Sequence, residues 1–252
     1  MHPIDTPDLT GRVALVTGAA RGLGRAAAAR LYEHGASVAV NVRDLARAAE
    51  VAGSLGERAL AVAGDVAAAG APEAMVQRVL DRFGRLDILV NNAALARSTR
   101  FPDLTPDEWR ATLEVNLTAP FLLTRAALPA MKAQQFGRVI NISSSAGRMV
   151  STLGGAHYTA SKAGLLGLTR AAAKELGAFG ITVNAICPGM IDTELTHEHA
   201  ATELLERLAK SYPIPRLGTA IEVADLICFV ASERAGYITG ASFDINGGDL
   251  MM

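Results

Sequence analysis

Short apolar runs alternate with helix-forming stretches along the chain, and this alternation constrains the fold more than any other feature. The runs predicted to be strands cover residues 12–17, 38–42, 59–63, 86–90, 138–143, 181–187 and 241–245. The stretches predicted to be helices cover residues 23–32, 45–55, 72–83, 105–131, 157–179 and 221–231. Apolar strands separated by helices are typical of βαβ units with right-handed crossovers. The sequence therefore predicts a doubly wound α/β Rossmann fold, with a single parallel sheet of about seven strands and helices on both faces.

The sequence contains no linker, internal repeat or low-complexity tract, so we expect one domain over residues 1–252. A chain of 252 residues can bury one large core. The polar stretch at residues 190–216, called the lid segment below, interrupts the alternation and is a candidate cover for a substrate. Within it, residues 203–208 are predicted to form a helix with one apolar face.

Composition and charge exclude several classes of function. The formal net charge is −1 at pH 7, without long charge runs, which argues against nucleic acid or an anionic membrane as a partner. No apolar segment is long enough to span a bilayer, and the N-terminus lacks the features of a signal peptide. The two cysteines, Cys187 and Cys228, have apolar neighbours and no C-x-x-C partner, as expected for free thiols in a reducing compartment. We expect a cytoplasmic protein.

No metal site is expected. The stretch His197-Glu-His199 places two imidazoles two residues apart. Residues at that spacing do not share a helix face, so we interpret both histidines as solvated side chains of the lid segment.

A glycine-rich turn stands where the first predicted strand passes into the first predicted helix. Glycines there let the backbone approach a pyrophosphate, and a helix N-terminus offers free N–H groups and a positive dipole end. The spacing G-x-x-x-G-x-G differs from the G-x-G-x-x-G dinucleotide fingerprint, and tight packing explains many such turns. The position of the turn favours a dinucleotide site formed by Gly18, Arg21, Gly22, Leu23 and Gly24.

Tyr158 and Lys162 lie four residues apart in a predicted helix, so their side chains share a face. A nearby ammonium favours the phenolate and would lower the pKa of the tyrosine, which suits a general acid/base. The alternative is a buried tyrosine and a solvated lysine that merely share a face, because pairs at this spacing are common. Only the rest of the chain decides between the two interpretations.

Together the motifs resemble the short-chain dehydrogenase/reductase family, in its short single-domain branch and most closely its 3-oxoacyl-reductase-like members. The matching segments are the turn from Thr17 to Gly24, Asn91-Asn-Ala, Asn116, Ser144, Tyr158 with Lys162, Pro188-Gly, Tyr237-Ile-Thr-Gly and Asp244-Ile-Asn-Gly-Gly. One departure is Ala94, where the family usually has a glycine. An alanine is strained there only if its φ is positive, so we expect a small effect on activity.

The resemblance implies four catalytic residues: Asn116, Ser144, Tyr158 and Lys162. In the family, the tyrosine exchanges a proton with the substrate carbonyl oxygen and the serine hydrogen-bonds the same oxygen. The lysine lowers the pKa of the tyrosine and holds the nicotinamide ribose, while the asparagine anchors a water that passes protons to the lysine. A polar residue at a helix kink is the alternative for Asn116.

Three serines follow one another at residues 143–145, so the catalytic serine must be chosen among them. The serine of the family usually lies three residues before a glycine. Counting back from Gly147 selects Ser144.

The resemblance also implies a nicotinamide cofactor, and the second strand favours NADP(H) over NAD(H). NAD-preferring members carry an aspartate at the position that is Val42 here, and a valine neither binds ribose hydroxyls nor repels a 2′-phosphate. Arg43 and Arg21 would suit that phosphate, because arginine binds phosphate in bidentate fashion. The alternative for Arg43 is a surface ion pair with Asp44. Further cofactor contacts are implied at Asp65, Val66, Asn92, Ala93, Tyr158, Lys162, Pro188, Gly189, Ile191 and Thr193.

The implied reaction is hydride transfer between nicotinamide and a carbonyl or secondary alcohol of a small molecule, such as a ketone or 3-oxo ester. The alternative is 3-oxoacyl-[acyl-carrier-protein] reductase of fatty-acid synthesis. Members that serve the carrier protein tend to carry basic residues where this chain has Gln135 and Phe179, so we expect free substrates to be at least as good.

Two further functions are less favoured. A non-catalytic cofactor-sensing protein could share the fold, but all four catalytic residues are retained. An epimerase or dehydratase of the longer branch would need an added C-terminal domain. The resemblance also implies a homotetramer, built through the two long helices and the last helix and strand.

Overall fold

The structure is a computed structural model that describes residues 7–252, apart from the side chain of residue 199. The first six residues of the expected domain therefore lie outside the described residues. The strands are β1 (Val13–Val16), β2 (Ser37–Val42), β3 (Ala59–Ala63), β4 (Ile88–Asn91), β5 (Gly137–Ile142), β6 (Ile181–Pro188), β7 (Ile191–Asp192), β8 (Gly218–Thr219) and β9 (Ser242–Ile245). The helices are α1 (Gly22–Glu33), α2 (Leu45–Leu55), α3 (Ala71–Phe83), α4 (Pro106–Leu113), α5 (Ala119–Gln134), α6 (Ala156–Leu176), α7 (Glu194–His199), α8 (Thr202–Ser211) and α9 (Ala220–Ala231).

Seven strands form one sheet in the order β3-β2-β1-β4-β5-β6-β9, and every pairing in it is parallel. This confirms the predicted doubly wound fold. The chain begins with β1, builds outward to β3, and then returns to place β4 on the other side of β1. Such a reversal opens a crevice at the carboxyl ends of the strands, where ligands bind in folds of this kind.

Apolar side chains cover both faces of the sheet. On one face, Leu31 of α1, Val51 of α2 and Ile227 of α9 pack against the strands. On the other face, Met75 of α3 and Leu123 of α5 belong to a second cluster that also includes the end of α6. Each large apolar side chain removed from water contributes about 1.5–3 kcal/mol, so the two clusters hold the helices to the sheet and fix its carboxyl edge.

The long helix predicted at residues 105–131 is divided in the structure. Thr105 caps α4, whose first helical residue is Pro106, as the sequence predicts. A π-helical turn then covers Glu114–Thr118, and α5 begins at Ala119. A proline inside a helical pattern predicts a break or bend near Pro120, and the structure has its irregularity there, in the π-helical turn just before the proline.

The lid segment is more regular than the sequence predicts. It contains the helices α7 and α8 and the strand β7, which pairs with β8 just beyond it. The predicted apolar face of α8 is present, since Leu205 and Ala209 are buried. Among the described residues, no helix has both the length and the apolarity that crossing a bilayer requires.

Candidate active site

A cavity of about 590 Å³ opens at the carboxyl edge of the sheet, between the glycine-rich turn and the lid segment. All the residues that sequence analysis proposed for the cofactor line this cavity, and Ser144 lines it as well. They are Gly18, Arg21, Gly22, Leu23, Gly24, Arg43, Asp65, Val66, Asn92, Ala93, Tyr158, Lys162, Pro188, Gly189, Ile191 and Thr193. Asn116 is not part of its wall.

The glycine-rich turn packs so closely against the loop after β4 that side chains cannot fit. Gly18 has φ of +64°, and a Cβ there would lie 2.9 Å from the Cα of Ala93. A Cβ on Gly24 would lie 2.5 Å from Nδ2 of Asn92. That amide donates to the carbonyl of Thr17 at 2.8 Å, which ties the turn to the cavity floor. Close approach of backbone to backbone explains both glycines.

The N-terminus of α1 has the properties of an anion site. Its cap residue, Arg21, makes no side-chain capping bond, and the first turn of α1 contains no acidic residue. The helix therefore directs free N–H groups and a positive dipole end into the cavity. A dinucleotide pyrophosphate fits this donor set.

Two arginines mark the end of the cavity beside β2. Asp44 caps α2 by accepting from the backbone N of Arg47 at 2.8 Å, and it makes no ion pair with Arg43. Arg43 lines the cavity without a hydrogen bond or ion pair to any described residue. Sequence analysis missed Arg47, which also lines the cavity and donates to the carbonyl of Ala20 at 3.3 Å. Its spacing of four residues from Arg43 was the available signal.

Ser144 and Tyr158 both line the cavity, and the Ser144 side chain is near enough to the phenol of Tyr158 to influence its pKa. Ser144 follows β5 and its Oγ accepts from the backbone N of Ala146 at 3.1 Å. Its neighbour Ser143 is buried, and its hydroxyl donates to the carbonyl of Lys162 at 2.9 Å. Of the two serines, Ser144 is therefore the one whose side chain lies beside the tyrosine.

The pKa of Tyr158 is shifted opposite to the direction expected from sequence. The residue is partly accessible from the cavity, but desolvation in its dense surroundings raises the pKa, and the side chain of Ser144 lowers it only in part. The ammonium of Lys162 lies 5.7 Å from the centroid of the Tyr158 ring and donates to the carbonyl of Ile142 at 2.7 Å. Burial also lowers the pKa of Lys162 to about 8.

Asn116 lies in the π-helical turn and is buried. Its Oδ1 accepts from the backbone N of Leu95 at 2.8 Å, and its Nδ2 donates to the carbonyl of Leu95 at 2.9 Å and to Oγ of Ser161 at 3.0 Å. The side chain thus fastens the loop after β4 to the catalytic helix α6. It makes no hydrogen bond to Lys162.

The substrate side of the cavity is largely uncharged. Leu95, Leu153 and Met190 are among its lining residues. Three arginines from neighbouring segments, Arg97, Arg100 and Arg148, do not line the cavity. Arg148 instead pairs with Asp244 at 2.9 Å.

Ala94 lines the same wall without strain. Among the described residues, Gln135 is the only non-glycine with a positive φ. The alanine thus adopts an ordinary backbone conformation where the family usually has glycine.

The lid segment contacts the cavity through its first helix. Arg21 forms two hydrogen bonds to the carboxylate of Glu198, one of them from Nη2 to Oε2 at 2.8 Å. His197, one of the two histidines considered above, has Nε2 2.7 Å from Oδ1 of Asp192. The described residues contain no cluster of three or more histidine, cysteine or acidic side chains suited to a metal ion.

The fold, the uncapped helix and the serine–tyrosine pair together define a nucleotide-binding oxidoreductase with a Rossmann fold. Residues 18–249 match the family described as Enoyl-(Acyl carrier protein) reductase. The chain is 42% identical to the 3-oxoacyl-[acyl-carrier-protein] reductase of Synechocystis sp., over 96% of this chain and 98% of that protein. It is 40% identical to the protein of the same name from Staphylococcus aureus, over 94% and 98%, and 39% identical to that from Vibrio cholerae, over 97% and 100%.

The chain belongs to the short-chain dehydrogenase/reductase family. It is an NADP(H)-dependent oxidoreductase that acts on CH–OH and C=O groups.

Proposed function

We propose that this enzyme reduces the carbonyl group of a ketone or 3-oxo ester to a hydroxyl group, with Tyr158 as the proton donor. The observation that carries the proposal is that Ser144 and Tyr158 lie side by side in the cavity that also contains the glycine-rich turn. One wall of the cavity can thus hold a dinucleotide, and another can hold and protonate an oxygen atom.

Each catalytic side chain has a defined task in this proposal. Ser144 donates to the substrate carbonyl oxygen and stabilises the negative charge that develops on it. Tyr158 gives its hydroxyl proton to the same oxygen, and its raised pKa keeps the phenol protonated before reduction. When bound, the nicotinamide supplies the hydride that reaches the carbonyl carbon.

Lys162 reprotonates the phenol and contacts the cofactor ribose. Because the pKa of Lys162 is about 8 in the cofactor-free structure, a nearby anionic cofactor would favour its charged form. Asn116 holds the loop after β4 in place and anchors the water that returns protons to Lys162. The adenine is held at Asp65 and Val66, and the nicotinamide beside Pro188, Gly189, Ile191 and Thr193.

The cavity end beside β2 explains the selection of NADP(H). Val42 provides no carboxylate for a ribose diol, and Arg43 has no acidic partner among the described residues. Arg43, Arg47 and Arg21 all line this cavity and would supply positive charge to a 2′-phosphate bound there. Charge-assisted bonds from guanidinium to phosphate are strong and directional.

The substrate wall favours a neutral acyl or ketone chain, because Leu95, Leu153 and Met190 line it and the three arginines of the neighbouring segments do not. Free 3-oxo esters and ketones fit such a wall. Delivery by an acyl carrier protein is the second candidate, and the names of the relatives favour it. Against it, Gln135 and Phe179 carry no charge. In its favour, the ammonium of Lys132 lies 4.1 Å from the ring centroid of Phe179 and supplies a positive charge at the same surface.

A substrate panel tests the proposal. NADPH consumption should be followed with a ketone, a 3-oxo ester, the same acyl group on a carrier protein, and a 2-enoyl thioester. We expect reduction of the free 3-oxo ester with a kcat/KM at least equal to that of the carrier-bound form. A hundredfold preference for the carrier protein would replace the first candidate by the second. Reduction of the enoyl thioester alone would contradict both.

We further infer that residues 1–252 act as one domain in a homotetramer, with residues 190–216 as the substrate lid. Exposed apolar side chains support the assembly, among them Trp109 and Phe121 on α4 and α5, and Met251 and Met252 at the C-terminus. The free, buried thiols of Cys187 and Cys228 suit the reducing conditions of the cytoplasm.

A further inference from the structure

Glu198 of the lid segment occupies the guanidinium of Arg21, a group that the proposed function assigns to the cofactor. The two side chains meet through two hydrogen bonds in the bidentate geometry that arginine also uses for phosphate. About half of each side chain is exposed, 47% for Arg21 and 49% for Glu198. The pair therefore lies at the mouth of the cavity, where solvent and ligands reach it.

The rest of α7 holds this acidic side chain over the turn. Oγ1 of Thr193 caps the helix by accepting from the backbone N of Thr196, and the hydroxyl of Thr196 donates to the carbonyl of Ile191 at 2.6 Å. A second carboxylate from the same helix, that of Glu194, lies 3.7 Å from where a Cβ on Gly22 would be. The helix thus presents acidic groups to an uncapped helix N-terminus that suits anions.

Glu198 occupies the fork formed by the two terminal nitrogens of Arg21, Nη1 and Nη2. Its negative charge would also repel a phosphate that approached the remaining N–H donors of the same guanidinium. The 2′-phosphate of NADP(H) must therefore displace Glu198 to bind Arg21 in this way. A cofactor without that phosphate can bind while Glu198 remains paired with Arg21. The two cofactors consequently differ in how they act on the lid segment, and not only in how strongly they bind.

We propose that Glu198 is an internal competitor of the 2′-phosphate, so that NADP(H) releases the lid segment from Arg21 and NAD(H) leaves it latched. The proposal rests on the assignment of NADP(H) to this cavity. In the cofactor-free enzyme the pair holds α7 against the glycine-rich turn. Binding of the phosphate breaks the pair and frees α7 to rearrange over a substrate.

Removal of the competing carboxylate should improve binding of the phosphorylated ligand. We expect Glu198→Gln to tighten binding of 2′-phospho-ADP-ribose by about two- to fivefold, in line with the strength of exposed ion pairs. Binding of ADP-ribose should stay unchanged. Both ligands lack the nicotinamide, so contacts between nicotinamide and lid do not contribute. Titration calorimetry measures the dissociation constants.

Two further variants make the test specific. Glu206→Gln in α8 is the matched control, since it removes the same charge from an exposed position outside the cavity and should change neither constant. In an Arg21→Ala background, Glu198→Gln should lose its effect, because the group for which it competes is absent. An equal improvement for both ligands, or none for either, would overturn the proposal.

Hydrogen exchange over residues 190–211 reports the release itself. We expect 2′-phospho-ADP-ribose to increase exchange there in the wild-type protein, and ADP-ribose to leave it unchanged. Identical exchange with the two ligands would contradict the latch. If Arg21→Ala weakens the binding of 2′-phospho-ADP-ribose while Glu198→Gln leaves its dissociation constant unchanged, the proposed competition by Glu198 is wrong and the NADP(H) assignment stands. If Arg21→Ala also changes nothing, the role of Arg21 toward the phosphate is wrong.

Discussion

At the scale of single residues, selection of the cofactor depends on side chains beside the end of β2. Arg43→Ala should weaken the binding of NADPH by about tenfold or more and the binding of NADH much less. The reason is that a hydrogen bond to a charged group contributes about 1.5–3 kcal/mol. Val42→Asp should reverse the preference by adding a ribose acceptor and a repelling charge. Arg25→Ala, on α1 outside the cavity, is the control. The measurement is the ratio of kcat/KM with NADPH to kcat/KM with NADH, compared between the wild type and the variants. A tenfold preference of the wild type for NADH would contradict this account.

Lys162 makes stability depend on pH in a defined direction. Burial lowers its pKa from 10.5 to about 8, so between those values the unfolded chain binds more protons than the folded protein. Its destabilising effect is therefore complete below about pH 8 and disappears as the pH rises toward 10.5.

Comparison with Lys162→Met isolates this effect. The free energy of unfolding of the wild type, relative to the variant, should increase between pH 7.5 and pH 9.5 when both are unfolded in urea without cofactor, since this interval spans the pKa of about 8. The same difference at both values would show that the lysine titrates normally in the folded protein.

At the scale of elements, the π-helical turn between α4 and α5 positions Asn116 to join two parts of the site. Asn116→Ala should destabilise the protein by about 1–3 kcal/mol, because it leaves the partly buried N–H and C=O of Leu95 without their partner. Thr124→Ala is the control, since its hydroxyl bonds only within α5, to the carbonyl of Pro120. Urea denaturation measures the free energy of unfolding of the two variants. An equal decrease in both would indicate that Asn116 has no special role in stability.

The same scale shows what sequence alone can predict. The strands of the sheet can be predicted from apolar runs such as those of β1 and β6. Every residue of these two strands is buried, so the apolar pattern is present in the strand itself. In the lid segment, the helix predicted at residues 203–208 is present as α8, whereas α7 was not predicted. A helix of six residues has too few positions for an apolar pattern to show, and α7 is held by its cap at Thr193 and its contact with Arg21. A break near Pro120 is predictable from the proline, but the π-helical form of the turn that holds Asn116 is not.

Within the site, residue positions were more predictable than electrostatics. The motifs predicted residues that line one cavity in the structure. They lie together because the motifs follow strands whose carboxyl ends meet at one edge of a parallel sheet. The pKa of Tyr158 is raised mainly by burial. A spacing of four residues shows that Tyr158 and Lys162 share a helix face, but it does not show how deeply the phenol is buried.

At the scale of the whole molecule, the proposed homotetramer predicts a mass near four times the 26.3 kDa of one chain. Exposed Trp109 and Phe121 would be covered in such an assembly. Light scattering at micromolar concentration measures the mass, and Phe121→Glu should lower it by placing a charge in an apolar interface. A monomeric mass for the wild type would contradict the proposed assembly.

The central claim is that one cavity delivers a hydride from NADPH and a proton from Tyr158 to the same carbonyl group. The most direct test is the rate constant of NADPH oxidation after a preformed enzyme–NADPH complex is mixed with a 3-oxo ester, compared between wild type and Tyr158→Phe. The substitution removes one hydroxyl, so the dissociation constant of NADPH should stay within about threefold of the wild-type value, a difference below 1 kcal/mol. The rate constant should fall by about a hundredfold or more, since a positioned acid contributes about 10²–10⁴-fold. A fall of less than about tenfold, which is about 1.4 kcal/mol of barrier, would contradict the assignment of Tyr158 as the acid.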